Sequence, residues 1–426
     1  MNETVEKLIA IVKEDSNKAL GCTEPVAIAY CANTASSYVD RSKIKKIKAV
    51  LSNNIYKNAK SVKIPNTGSY GIEIALAVGS LVEKSDEAFM VFSKVDEDLV
   101  REAQELIEKG IVESEYIKES PDIYVNVTIE TDRDTVEAIL INSHTYIEKV
   151  TLNGEVVYQG TYKKEDVKSN FDIKDLSFKK LREIIEETDP DKFKFTLYGI
   201  EVNMEAANAG LKGAGSNLGK TLNELKNKGI LSNNFISIAR IMTAAAADMR
   251  MAGENAPIVT SGGSGNQGIG VILPIAIVAE KEKVSDERLA KALFFAHAIN
   301  RYVKEYAGKL SGMCGCAIGA AIGATAGITW LIGGNDEQIA GACSNIYSNL
   351  TGMICDGAKG SCSMKLASSA EESIISAYLA INGVISEENV GILGGSIEET
   401  IKNIGKLSRE AFGKIDDLIL EIIEER

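Results

Sequence analysis

The 426-residue sequence predicts an α+β fold, a small mixed sheet with its own helices joined to a large all-helical part. Three observations predict it. Short β-branched and alternating runs crowd into residues 44–165 and almost vanish afterwards. From about residue 170 apolar side chains keep the 3.6-residue helical period. Within that helical part, five of the seven cysteines fall between Ser311 and Lys365, set among glycine and alanine.

The elements follow in order. Residues 1–43 read as N-terminal helices packing on the helical domain, with Val5, Leu8, Ile9 and Val12 on one face. A break at LGCTEP interrupts them, and Pro25 beside Glu24 signals a new helix start that continues through Ala29, Ala32 and Ala35. Residues 44–168 read as an α+β domain. KIKAVLS, AFMVFSKV, IYVNVTIET, AILINSHTYIEKVTL and EVVYQGTY are its strand candidates, His144 lying in one of them. Asn153-Gly154 between the last two is a hairpin signal. Residues 67–82 and 97–110 supply helices. Residues 169–426 read as all-helical, with glycine-rich loops such as VTSGGSGNQGIG at 259–270.

Composition narrows the function classes. Lys plus Arg is 47 against 60 for Asp plus Glu, a net charge of −13. Such a chain repels phosphate backbones and anionic membranes, so neither nucleic acid nor membrane is expected as a partner. The N-terminus carries acidic residues and no long apolar run, unlike a signal peptide, which places the thiols in a reducing cytoplasm. Residues 310–334 form 25 positions without a charge, long enough to span a bilayer. Seven are glycine, however, and Gly315, Gly319, Gly323 and Gly327 recur every four residues, a stripe that also suits a buried soluble helix. No second span exists for it to pack against, which favours the buried helix.

Cys355 and Cys362 bracket Asp-Gly-Ala-Lys-Gly-Ser, a small-residue loop able to wrap an inorganic cluster and point amides at its sulfides. Buried structural thiols are the plain alternative. A third ligand would be Cys314 or Cys316. Only Gly315 separates those two, which is not the pair spacing of structural zinc. Three thiolates on a cubane leave one iron open as a Lewis acid, which electron carriers do not need. Cys22 in GCTEP sits near a helix start, a position that lowers a thiol's pKa, although Glu24 beside it acts the other way. SGGSGNQGIGVILP at 261–274 and NTGSYG at 66–71 look like anion-binding loops ahead of helices. GAGSNLGKT at 213–221 misses the phosphate-loop spacing and follows a helix, so it is rejected. Lys304 and Lys359 are base or carboxylate-partner candidates; His144 and His297 are too few for a histidine metal site.

Together SGMCGCAIGAAIGA, GMICDGAKGSCSMKLASSA, SGGSGNQGI and ALGCTEP resemble the L-cysteine desulfidase family over almost the whole chain, in the same order. That family is distantly similar to the iron–sulfur L-serine dehydratases, which join an α+β domain to a helical cluster domain. The resemblance implies an enzyme that breaks L-cysteine down to pyruvate, ammonia and hydrogen sulfide. It implies an oxygen-sensitive [4Fe–4S] cluster with one iron open to substrate, no pyridoxal phosphate, and an architecture compatible with a homodimer. By position, Cys355 and Cys362 match two ligands, and Cys316, favoured over Cys314, is the third. Residues 169–426 become the cluster-binding catalytic domain. Cys22 and Lys304 become the candidates for acid or base, with Asn66, Thr67, Gly68, Ser264, Gly265, Asn266 and Gln267 gripping the substrate. The competing expectations are L-serine dehydration at the same iron and a non-catalytic metal-binding sensor.

Overall fold

The computed structural model describes residues 2–85, 87–161 and 171–425. The expected boundary between the sheet-bearing and helical parts, at 168–169, lies outside the described residues. Helix α1 (Asn2–Asp15) and the short strand β1 (Lys18–Ala19) precede α2 (Thr23–Ser36). Then come β2 (Ile44–Ser52), α3 (Asn53–Lys60), α4 (Ile72–Leu81) and α5 (Glu97–Glu108). Five strands follow: β3 (Val112–Ile117), β4 (Tyr124–Thr131), β5 (Thr135–Ile141), β6 (Ile147–Leu152) and β7 (Glu155–Gln159). The six-stranded sheet has the order β3-β2-β4-β5-β6-β7; β2 and β3 are parallel and every other pair antiparallel. Asn153 (φ 52°) and Gly154 (φ 85°) turn the last hairpin in the left-handed conformations that two-residue hairpins require.

The helical part holds α6 (Phe178–Glu187), α7 (Tyr198–Gly210), α8 (Leu218–Asn227) and α9 (Phe235–Met251). A short strand β8 (Ile258–Val259) leads into α10 (Gly265–Glu282) and α11 (Asp286–Ala307). Last come α12 (Ala321–Leu331), α13 (Asp336–Leu350), α14 (Cys362–Ile381), α15 (Ile397–Leu407) and α16 (Gly413–Glu424). The fold is thus α+β, with a small mixed sheet and a predominantly helical remainder.

Three local expectations are corrected, and one strand unassigned from the sequence is added. AFMVFSKV is a 3-10 helix, Ala88–Lys94, because Val91 and Phe92 drop into the core while the Phe89 carbonyl accepts from Leu20 N, leaving no edge to pair. VESEYI is instead a strand, β3. Its polar residues hide it from a propensity reading, but Lys46–Glu113 (3.1 Å) and Lys48–Glu115 (2.8 Å) pair it across to β2. His144 sits in the turn between β5 and β6 rather than in a strand. The N-terminal helices also part company. α1 packs its Val5, Leu8 and Val12 into the helical core, whereas α2 packs its buried Val26, Ile28 and Ala32 into the sheet's core beside α4. α1 is amphipathic and needs one partner; α2 is small-sided and buried nearly all round, so it fits only between layers.

Close approach of α12 and its leading turn sets the centre of the helical part. A methyl placed on Gly323 would sit 2.5 Å from the Ala296 carbonyl oxygen of α11, and one on Gly327 3.0 Å from that of Ala292. One on Gly319 would meet Asn300 Oδ1 at 2.6 Å. The charge-free stretch is broken by a π turn at Cys316–Ala320, and among the described residues no helix is long and apolar enough to cross a membrane. Gly323→Ala should therefore cost about 1–3 kcal/mol through overpacking. Gly352→Ala, with nothing within 4 Å of the added carbon, should stay within about 0.5 kcal/mol. Urea denaturation midpoints of the two variants measure the difference.

Candidate active site

A cavity of about 110 Å³ opens where the sheet-bearing layer meets the helical part. Its wall gathers residues that the sequence scatters: Cys22 and Glu24 from the start of α2, Asn58 from α3, and Arg250 from α9. Ser264, Asn266 and Gln267 come from the start of α10, Lys304 from α11, Cys314 and Cys316 from the next turn, and Cys355 and Cys362 from the loop before α14. Pairing brings the last two segments together: Cys314 N donates to the Met353 carbonyl and Cys355 N to the Gly312 carbonyl, both at 2.8 Å. All seven cysteines are free thiols. Cys31 and Cys343 are buried elsewhere, bonded only to backbone carbonyls.

The break at Gly21 explains how Cys22 arrives. Gly21 takes φ 82°, and Cys22 is the N-cap of α2, with Val26 N donating to its carbonyl at 3.1 Å. The helix start does not make Cys22 a thiolate. Burial pushes the thiol up to about 12; Glu24 and Cys362 add to this and Arg250 only partly opposes it. Burial also acts on Lys304, which is 9% exposed. It lowers the ammonium to about 8, helped by Lys309 and Arg301 and resisted by Asp15 and Glu24. Lys304 Nζ donates to the Gly262 carbonyl. Burial works against the Glu24 charge, but His144, the residue's own amide, Arg250 and Asn58 outweigh it and hold the carboxyl below its usual range. Asn58 Nδ2 donates to Glu24 Oε1 at 3.0 Å. His144 is pushed down to about 4, first by burial.

Arg250 is 4% exposed and was not singled out from the sequence. Its Nε donates to the Gly21 carbonyl at 3.1 Å and its Nη1 to Asn266 Oδ1 at 2.9 Å, both neutral acceptors. Gly265 lets it in, since a methyl there would sit 2.3 Å from Arg250 Nε. Beside it, Gln267 Oε1 is buried with no hydrogen-bond partner among the described residues. A guanidinium so placed suits a carboxylate, and the orphaned amide oxygen suits a donor.

The two glycine loops part here. Ser264, Asn266 and Gln267 line the cavity, and Gly265 shapes it. Asn66, Thr67 and Gly68 do not line it. Asn66 Nδ2 donates to the Phe92 carbonyl, Thr67 Oγ1 to that of Ile64, and Ser69 N to Thr67 Oγ1, so the loop's polar groups satisfy one another. The segment 213–221 is likewise closed to phosphate, because the Asp248 carboxylate already accepts from Leu218 N and Gly219 N at the start of α8. Lys359 pairs with Asp356 outside the cavity.

Among the described residues no three His, Cys, Asp or Glu converge as a single metal ion requires. Four cysteine thiols on one wall could instead hold a polynuclear cluster, whose several irons take separate thiolates. Interaction with the neighbouring Cys316 thiol lowers Cys314 to about 7 despite burial, while Cys314 and burial together raise Cys316.

Comparison with known proteins places the chain among relatives. The family model described as serine dehydratase alpha chain matches residues 157–421. A UPF0597 protein of Clostridium botulinum (strain Okra / Type B1) is 48% identical over 422 residues, 99% of this chain and 97% of its own. Those of Alkaliphilus oremlandii and Vibrio campbellii are 39% and 35% identical, over 98% and 99% of this chain and 97% and 100% of theirs.

One side of the cavity is braced by a buried ion pair, Lys57 on α3 with Asp416 on α16. Lys57→Met would strand Asp416 and should cost about 3–5 kcal/mol, most of it recovered when Asp416→Leu is added. Guanidinium melts of the single and double variants test this.

Proposed function

The chain belongs to the serine dehydratase alpha-chain family, and on that premise we propose that it is a carbon–sulfur lyase, an L-cysteine desulfidase. It would release pyruvate, ammonia and hydrogen sulfide in a reducing cytoplasm. One observation carries the reading: cysteines from three chain segments share a cavity with a buried guanidinium whose partners are neutral. Cys316, Cys355 and Cys362 fit as ligands of a [4Fe–4S] cluster. The cluster, when bound, supplies Lewis acidity at an open iron for the leaving group.

The chain's own residues do the rest. Arg250 and the α10 N-terminus take the substrate carboxylate. The ionised Glu24 and the free oxygen of Gln267 face the same space and accept from the substrate ammonium. Lys304, near neutrality in its protonation, removes the Cα proton, and the electron pair of that C–H bond forms the Cα–Cβ double bond as the Cβ–S bond breaks. Cys22, held as a neutral thiol, fits the part of proton donor to the departing sulfur and not that of base. The 2-aminoacrylate product then tautomerises and hydrolyses to pyruvate and ammonia. Val303, Ala307, Leu310, Met313 and Ile318 make part of the wall apolar, which suits a thiol better than a hydroxyl that seeks partners. The family description supports a second reading, L-serine dehydration.

Anaerobically reconstituted protein should release pyruvate and sulfide from L-cysteine with a higher kcat/KM than pyruvate from L-serine. The reverse ratio would establish the second reading, and no product from either would sink both. Turnover should rise with pH through about 8 as Lys304 loses its proton. Lys304→Met should remove that limb and lower kcat by about 10²–10⁴. Arg250→Lys, which keeps the charge but loses the fork, should raise KM by about tenfold to a hundredfold.

A further inference from the structure

Resting on the cluster reading above, we propose that Lys57 and Asp416 are positioning residues for Cys355, a clamp that readies the 355–362 loop to receive the cluster. Lys57 stands on α3 in the sheet-bearing layer; Asp416 stands on the last helix, α16. Their side chains are 0% and 8% exposed. Lys57 Nζ donates to Asp416 Oδ1 and also to the carbonyl oxygen of Cys355, the latter at 3.2 Å.

The loop leans on the clamp from the other side. Gly357 takes φ 94°, and a methyl on it would sit 2.7 Å from the Lys57 carbonyl oxygen. Cys355 N donates to the Gly312 carbonyl. A methyl on Gly312 would in turn meet the Phe412 carbonyl oxygen at 2.4 Å and Asp416 Oδ1 at 3.1 Å. The residue after Lys57, Asn58, accepts from the Cys355 thiol at 3.9 Å. Cys355 is therefore held at its carbonyl, amide and sulfur by groups drawn from α3 and the turn before the π helix, with α16 behind them.

Stability alone does not account for this arrangement, since buried ion pairs can often be exchanged for apolar side chains without loss. What an apolar pair cannot supply is a donor to the Cys355 carbonyl and a fixed cation beside thiolates. Groups of this kind tune cluster binding and lability.

The test uses full-length wild type, Asp416→Asn, Lys57→Arg and the double variant Lys57→Met with Asp416→Leu. Each is reconstituted anaerobically with ferrous iron and sulfide. Iron content, thiolate-to-iron absorbance and its decay in air are read beside the thermal melt of the apo-protein. The double variant should melt like wild type yet bind iron about tenfold more weakly or lose its absorbance about tenfold faster. Lys57→Arg should recover part of the loss. A folded double variant with wild-type iron content and decay overturns the proposal. If the double variant does not fold, Asp416→Asn carries the same comparison, with the same outcome overturning it. Wild type that turns over cysteine while all variants hold the cluster equally would sink the clamp alone. Wild type that takes up no cluster would sink the clamp and the functional reading together.

Discussion

Close approach of neighbouring helices along Gly315, Gly319, Gly323 and Gly327 is the constraint on which the rest of the structure depends. Each of these glycines faces a group that any side chain would strike: Gln267 of α10, then Asn300 and the carbonyls of Ala296 and Ala292 on α11. Three walls of the cavity are fixed by this one approach. α11 carries Lys304 one turn beyond Asn300, α10 presents Gln267, and the π turn at the head of α12 delivers Cys316. A π turn adds a residue to the helical repeat and so re-aims what precedes it, here Cys314 and Gly315.

The cavity's electrostatics run against those of the whole chain. The protein carries −13, yet among the described residues Arg250, Lys304, Lys309 and Lys365 line the cavity against the single carboxylate of Glu24. Net charge governs long-range encounters; the local field follows from a few placed groups. A positive cavity favours a carboxylate and thiolates, while Lys304 is pushed down chiefly by its burial, with Lys309 and Arg301 adding to it.

Neither part of the molecule makes the site alone. The serine dehydratase model begins at residue 157, just inside β7, so it covers the helical part, while the UPF0597 relatives match the chain from end to end. Cys22, Glu24 and Asn58 belong to the sheet-bearing layer, and Cys314, Cys316, Cys355 and Cys362 to the helical part. A small two-stranded sheet helps to lock the layers: Lys18 and Ala19 pair with Val259 and Ile258, and Thr260 Oγ1 donates to the Asp15 carbonyl at 2.7 Å.

The sequence by itself determined what depends on near neighbours. Helical period, the Asn153-Gly154 turn, the break at Gly21-Cys22 and the glycine stripe are written within a few residues and reappear in the structure. The crowding of cysteines around 311–365 was legible for the same reason. Tertiary structure decided the rest. Arg250 closes an alanine-rich helix and reads like any solvated arginine until Gly265 admits it to the cavity. Asn66 and Ser264 begin similar glycine loops, but only the second meets the cavity, because α10 starts at the layer junction. The helix start at Cys22 suggested a reactive thiolate, and burial reversed that. Burial and convergence are properties of segments hundreds of residues apart, set by which faces pack together, and no local pattern encodes them.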